Sequence, residues 1–330
     1  MNEAPTSAIK QFIKRLACFA LPLLVMPVLI YLTDPFGIFR TDFSRQVIEP
    51  NQHFAKMEFL TQEIRPYDSF IFGSSKAGNV DSRKLVNGNF YNMSYSMGLP
   101  YEWYHDLKIL LEAGYDIHQV VLLLDERTYN RTHQMNNSLL RHPFDASEME
   151  RWKFKAKYLF RIPNFYVLEK ALYPLHQHDP FLVQYDIHGS GIPFKTSREA
   201  WVDANLAEHL EDPRFSETPT TYLPTPEEAL AYIAHIRDLC SERHIELTVM
   251  MAPIHPRKME SLKVNRFDDF LIDLEGVVPY LDFSGANSVN RDNKNWLEQH
   301  HFRWHVGDLI VERLNTGRKF KDFGVWRGRN

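Results

Sequence analysis

The 330-residue chain predicts an α/β fold, a three-layer α/β/α sandwich on a mostly parallel five-stranded sheet. A helical insertion at about residues 127–224 and one N-terminal transmembrane helix complete the expectation. Three observations lead there. Apolar runs of strand length alternate with segments of helical period. One of these runs, VVLLL at 120–124, has no polar face, as in strands buried on both sides. Near the N-terminus, residues 16–32 carry no charge at all.

Composition bounds the rest. With 44% hydrophobic and 13% aromatic residues the chain can bury a large core, which excludes wholesale disorder. A formal charge of -4 and a pI near 6.4 give no general footprint for nucleic acid, so no nucleic-acid partner is expected. Cys18 and Cys240 are the two cysteines, too few for a disulfide framework.

The elements follow in order. Lys10, Lys14 and Arg15 precede LACFALPLLVMPVLIYL at 16–32, a stretch at the short end of what spans a bilayer. No A-x-A-like cleavage site follows it, only YLTDPFGIFR, so an uncleaved signal anchor is expected. Three basic residues before the span against Arg40 after it place residues 1–15 in the cytoplasm and the rest outside. In a bacterium that is a single-pass inner-membrane protein with a periplasmic domain. The alternative is a buried helix of a soluble domain, which Pro22 and Pro27 favour. Residues 33–65 read as a linker, and 66–330 as the domain.

The first strand is SFIFG at 69–73, and Asp81 is an N-cap for the short segment after it. NFYNMSYS at 89–96 is the second strand. A helix begins at Pro100, carries Trp103, Leu107, Leu110 and Leu111 on one face, and stops at Gly114. HQVVLLLDE at 118–126 is the third strand, after which the alternation breaks down into the insertion. It resumes with a helix in which Thr225 is the N-cap, Pro226 the first helical residue and Glu228 the far end of a capping box. IELTVMMAP at 245–253 is a strand, a helix follows around 262–274, VVPYLDFSG is the fifth strand, and a last helix runs from about Trp304 to Leu314. What the basic tail RKFKDFGVWRGR contacts stays open.

In such a sheet, ligands bind beyond the carboxyl ends of the strands, where Gly73, Ser74 and Ser75 fall. A serine on a strand-to-helix turn has an exposed hydroxyl, with the backbone N–H groups of the turn aimed at whatever it attacks. A plain helix N-cap is the competing use of either serine. A phosphate loop is excluded because Ala77 follows Lys76, and the G-x-S-x-G elbow fails because Ala77 stands two residues after Ser75. A nucleophilic serine needs a base held by a third group. NWLEQHHFRWHVGD at 295–308 offers both, with Glu298 and His301 three apart. A metal-dependent hydrolase using Glu298, His301 and His305 is the alternative chemistry, without an H-E-x-x-H motif, and HQHD at 176–179 reads as a polar loop or a metal ligand set.

Taken together, FIFGSSKAG, NFYNMSYSMGLPYE, VVLLLDE, VMMAPIHP and NWLEQHHFRWHVGDLIVERL, in this order behind one anchor, resemble the SGNH/GDSL hydrolase-like superfamily. The likeness is to its membrane-anchored bacterial branch, which includes alginate O-acetylation and teichoic-acid D-alanylation proteins. It covers about residues 66–126 and 226–315. The resemblance implies Ser75 as nucleophile, with Ser74 where aspartate usually stands, His301 as base, and Glu298 in place of aspartate. It implies an oxyanion hole from the N–H groups of Ser75 and Gly98, with Met97 an equal register. The superfamily's third-block asparagine has no counterpart after VVLLL, where Asp125 and Glu126 stand. Ser74, Lys76, Asn92 and Asp125 are possible substrate contacts, Lys76 being read otherwise as a solvated lysine.

The implied chemistry is a two-step acyl transfer without cofactor. Ser75 attacks an ester carbonyl, and the acyl group passes to water or to a sugar hydroxyl, so esterase and O-acyltransferase both stay open. The resemblance implies an envelope glycan, or a membrane protein that delivers the acyl donor, as partner. Trp152, Tyr158, Phe160, Phe165, Tyr166 and Trp201 of the insertion are sugar-stacking candidates or the insertion's own core. The remaining alternative is a catalytically silent member that binds glycan or scaffolds an envelope assembly.

Overall fold

The computed structural model describes residues 4–40, 49–136, 140–143, 147–160, 183–194, 196–218 and 223–329. In chain order the helices are α1 (Ala4–Thr33), α2 (Gln52–Gln62), α3 (Pro100–Glu112), α4 (Glu126–Asn130), α5 (Glu148–Phe160), α6 (Thr196–Ala204), α7 (Leu206–Leu210), α8 (Pro226–Glu242), α9 (Pro256–Val264), α10 (Phe267–Val277) and α11 (Trp304–Thr316). The strands are β1 (Ser69–Gly73), β2 (Phe90–Asn92), β3 (Gln119–Leu124), β4 (Gln184–Tyr185), β5 (Pro193–Phe194), β6 (Glu246–Met251), β7 (Tyr280–Asp282) and β8 (Val325–Arg327). Two compact units form: Met1–Asn51 with Ala146–Leu182, and Gln52–Asp145 with Val183–Asn330.

In the first unit α1 runs unbroken through Pro22 and Pro27. Residues Ala8–Thr33 are long and apolar enough to cross a membrane. Phe12, Phe19, Val25, Val28 and Leu32 of this helix are exposed, unlike the side chains of a buried core helix. Its last turn is closed locally. The Asp34 carboxylate accepts the N–H groups of Ile38 (2.9 Å), Phe39 (2.7 Å) and Arg40 (2.8 Å), while the Arg40 guanidinium donates to the Tyr31 and Leu32 carbonyls.

The second unit holds the sheet, in the order β2-β1-β3-β6-β7-β8. All pairs are parallel except β7 with β8, which is antiparallel. The five expected strands are present, and the count is corrected to six. The sixth is Val325–Arg327 of the basic tail, whose contact is therefore the edge of β7 (Leu281 opposite Trp326). Three residues with one half-buried side chain carry too little alternation to read as a strand. One sheet face packs Ile71, Val121, Leu123, Met250 and Leu281 against Ile310 and Val306 of α11. Each such buried side chain contributes roughly 1.5–3 kcal/mol.

Four local readings are corrected. The linker at 33–65 ends early, because α2 is a buried helix of the sheet unit. The helix read at 262–274 is two helices, α9 and α10, broken where Arg266 turns left-handed (φ 64°). Thr225 places no side-chain cap on α8, and Glu228 accepts instead from His133 N–H at 2.8 Å. The insertion is helical in α4 to α7 but contributes the hairpin β4–β5 and divides between the two units. Phe165, Tyr166 and HQHD at 176–179 lie outside the described residues.

Candidate active site

The serine turn is built by a missing side chain. A Cβ on Gly73 would sit 2.4 Å from the Ala77 Cβ and 3.0 Å from the Leu123 carbonyl, so only glycine lets the chain fold back at the end of β1. Ala77 N–H then donates to the Ser74 carbonyl (3.0 Å), and Ala77–Asn79 form one turn of 3₁₀ helix. Ser74 ends up buried and Ser75 half-buried. The N–H of Ser75 is not engaged by any group among the described residues.

The histidine loop is built as a tight bend between two buried aromatics. Trp296 and Phe302 pair across an antiparallel bridge, and Leu297 N–H donates to the His301 carbonyl at 2.8 Å. Glu298 and His301 therefore face each other across four residues. Two contacts lock the bend to the serine turn. Asn79 Nδ2 donates to the Phe302 carbonyl (2.5 Å), and Gly307 of α11 lies where a Cβ would come 1.8 Å from the Asn79 carbonyl. The insertion braces the other side. Arg303 pairs with Glu199 (2.6 Å) and Asp203 (2.5 Å) of α6, His209 Nε2 lies 2.8 Å from the Trp296 carbonyl, and Gln299 Nε2 donates to the Glu217 carbonyl (2.8 Å).

These supports bring Ser75, His301 and Glu298 into one line. Ser75 Oγ is 2.9 Å from His301 Nε2, and His301 Nδ1 meets Glu298 Oε1. Glu298 Oε2 accepts His300 N–H at 2.7 Å. Burial alone would raise the Glu298 carboxyl, but the His301 hydrogen bond, its charge and the His300 N–H outweigh it and hold the group at about 2. An ionised carboxylate on Nδ1 keeps the proton there and leaves the Nε2 lone pair for the serine hydroxyl.

Beside this line runs a buried cation. Lys76 is 3% exposed, and its Nζ donates to Glu126 Oε2 (2.6 Å) and the Pro253 carbonyl (3.3 Å). The reading as a solvated lysine is corrected. Glu126 Oε1 lies 3.2 Å from His300 Nδ1. Burial would raise this carboxyl too, and the charges and hydrogen bonds of Lys76 and His300 drive it well below the usual range. Sequence reading named Glu126 only as standing where the asparagine is missing, and it passed over His300, which flanks His301. Glu126 meets Lys76 across 50 residues and His300 across 174, which leaves no local pattern.

The other expected contacts are structural. Asp125 takes the Ser74 hydroxyl on one carboxylate oxygen and Arg127 N–H on the other (2.8 Å), capping α4, so neither oxygen is aimed at Ser75 Oγ. Its carboxyl is raised by burial and by the neighbouring Glu126 charge. Asn92 is fully buried and spends its amide on the Ala77 (2.9 Å) and Val80 (3.1 Å) carbonyls and the Ser94 N–H (2.9 Å), which takes it off the list of substrate contacts. Gly98 N–H closes a turn onto the Tyr95 carbonyl (3.2 Å), so it is not the expected oxyanion donor. Met97, left-handed at φ 55°, is the register that remains.

That loop, residues 92–98, is held by an inner polar cluster. Lys56 Nζ donates to the Asn92 (2.8 Å) and Ser94 (2.5 Å) carbonyls, Gln52 Oε1 accepts Ser96 N–H (2.9 Å), and Arg141 donates to the Ser96 (2.9 Å) and Met97 (3.1 Å) carbonyls. Tyr95 stacks on His53 and donates to Asp106 Oδ2 (3.1 Å), whose other oxygen is 2.8 Å from His53 Nε2. Burial lowers Lys56 to about 7 and raises Asp106 to about 8.

The metal alternative does not form among the described residues. His305 turns to Asn295 Oδ1 (2.7 Å), and no group of three His, Cys, Asp or Glu side chains there converges as ligands would. Of the insertion aromatics, Tyr158 is buried, Trp201 half-buried, and Trp152 and Phe160 exposed. Comparison of the chain with protein-family models and with curated proteins gives no match.

Proposed function

We propose that this protein is a membrane-anchored serine esterase or O-acyltransferase of the SGNH/GDSL hydrolase-like kind, acting on an acyl ester of a cell-envelope glycan or polymer. The observation that carries the reading is the uninterrupted line Ser75 Oγ, His301 Nε2, Glu298 at the carboxyl end of β1. A hydroxyl is inert until a base takes its proton, and an imidazole is a poor base until its tautomer is fixed. Both requirements are met within three side chains.

In this mechanism Ser75 Oγ attacks the ester carbonyl as His301 Nε2 takes its proton, and Glu298 stabilises the imidazolium. The Ser75 N–H, and the Met97 N–H in place of Gly98, stabilise the oxyanion. Asp125, turned to Ser74 and Arg127, leaves that position free of a facing carboxylate. The leaving alcohol takes the proton from His301. Water or a sugar hydroxyl then repeats the cycle on the acyl-Ser75 ester, and α1 (Ala4–Thr33) holds the chain in the inner membrane with the sheet unit on the periplasmic side. The envelope glycan, or a membrane protein that delivers the acyl donor, is the partner this chemistry needs.

The experiment is turnover of p-nitrophenyl acetate by the full chain in detergent, with and without an added glycan acceptor. Release of nitrophenolate that Ser75→Ala abolishes supports the reading, and faster release with acetylated glycan as product selects the transferase. No Ser75-dependent release with any short acyl ester sinks it and leaves the catalytically silent glycan-binding reading.

A further inference from the structure

Helix α5 carries an apolar stripe that nothing among the described residues of the first unit covers. Met149, Trp152 and Phe160 are 64%, 69% and 65% exposed, and with exposed Ala156 they recur at the three- and four-residue spacing of one helix face. The flanks hold Lys153, Lys155 and Lys157 against Glu148 and Glu150. A tryptophan and a phenylalanine on one face, with lysines beside them, is the composition of a helix that lies in a bilayer interface.

The position of α5 agrees with its composition. Its inward residue, Tyr158, donates to Asp34 Oδ1 (3.0 Å) and accepts Phe36 N–H (3.2 Å), and its ring packs against those of Phe36 and Phe39. Residues 34–39 are the first turn of chain after α1 ends at Thr33. Whatever depth the end of α1 occupies, α5 is pinned beside it.

We propose that α5 lies flat in the headgroup layer of the membrane that α1 crosses, with Met149, Trp152, Ala156 and Phe160 turned into the lipid and its lysines at the level of the phosphates. The proposal rests on α1 spanning the bilayer. It makes the contact with the membrane two-part, a span and a surface float, so that the chain leaving α1 is held at the interface rather than swinging freely. Trp152 and Phe160 are thereby assigned to lipid and not to sugar rings.

The test is tryptophan quenching in vesicles of phosphatidylethanolamine and phosphatidylglycerol doped with a phospholipid brominated at acyl carbons near the headgroup. The full chain and Trp152→Phe are reconstituted in parallel, and their difference isolates the Trp152 emission. The expected result is a quenching of that component by about twofold or more, with blue-shifted emission. Unquenched emission at the wavelength of a water-exposed indole overturns the proposal, including the case in which a protein partner covers the stripe. A membrane-impermeant maleimide reads α1 separately: protection of Cys18 shows the span in place, so that unquenched Trp152 with protected Cys18 counts against α5 alone.

Discussion

Two imidazole–carboxylate pairs in the sheet unit are built from the same groups and shift in opposite directions. Glu298 with His301 is held at about 2, whereas Asp106 with His53 is raised to about 8. Distance does not separate them, since both pairs are in hydrogen-bond contact. Solvent and backbone do. His53 and Asp106 are wholly buried, so burial dominates and the pair is most stable without charge. Around Glu298 the His300 N–H adds a donor and His301 keeps a third of its side chain exposed, so the ion survives. The far ring nitrogen of the first pair meets a serine hydroxyl, whereas that of the second, His53 Nδ1, accepts the His142 backbone N–H (3.0 Å). An imidazole and a carboxylate in contact make a relay only where the far ring nitrogen meets a group that can react.

The comparison is broken first at the serine. Ser75→Ala and His301→Ala are each expected to lower ester turnover by a factor of about 10⁴ to 10⁶, read as initial rates at equal folded protein. Next comes Glu298→Gln, which keeps the shape and removes the charge that selects the tautomer, with an expected loss of about 10⁴. Its stability effect has a defined sign. Glu298 is depressed when folded, so its contribution is present above the unfolded value near 4.3 and lost as pH falls through about 2. Denaturant unfolding from pH 5 to pH 2 should show the wild type losing about 3 kcal/mol more than Glu298→Gln.

Lys76→Met should cost about 3–5 kcal/mol, because it strands the Glu126 carboxylate in the interior. Unfolding midpoints in urea read it, and an unchanged midpoint would mean that Glu126 finds another partner. The smallest effect belongs to the core pair. Between pH 6.5 and 8 folded Asp106 keeps a proton that the unfolded pair has lost, so stability falls as pH rises. Relative to Asp106→Asn the wild type should lose about 2 kcal/mol across that window, and Lys56 cancels because both proteins carry it.

How much of this was legible in the sequence depended on how local each signal was. Strands β1, β3, β6 and β7 announced themselves as apolar runs bounded by turn residues. Ser75, Glu298 and His301 were legible because each half of the line lies within one short motif, Ser75 at the end of β1 and Glu298 with His301 just before α11. Helix α2 was not, since its buried residues mix Gln52, His53 and Lys56 with Phe54, Met57 and Leu60, and the partners of the polar three lie 36 to 133 residues away. A buried polar face reads as a linker until its partners are known. Lys76 failed for the same reason, with Glu126 50 residues on. The turn that consumes the Gly98 N–H was not legible either, because Gln52 and Arg141 grip the neighbouring backbone from 44 and 45 residues away.

The claim at the centre is that the hydroxyl of Ser75 is activated by His301. The full chain in detergent is treated with a fluorophosphonate probe and the adduct located by peptide mass spectrometry, beside Ser75→Ala, His301→Ala and His300→Ala. An adduct on Ser75 that the first two variants abolish and His300→Ala retains is the predicted result. No adduct on folded protein, or labelling of Ser75 that survives the loss of His301, would contradict it.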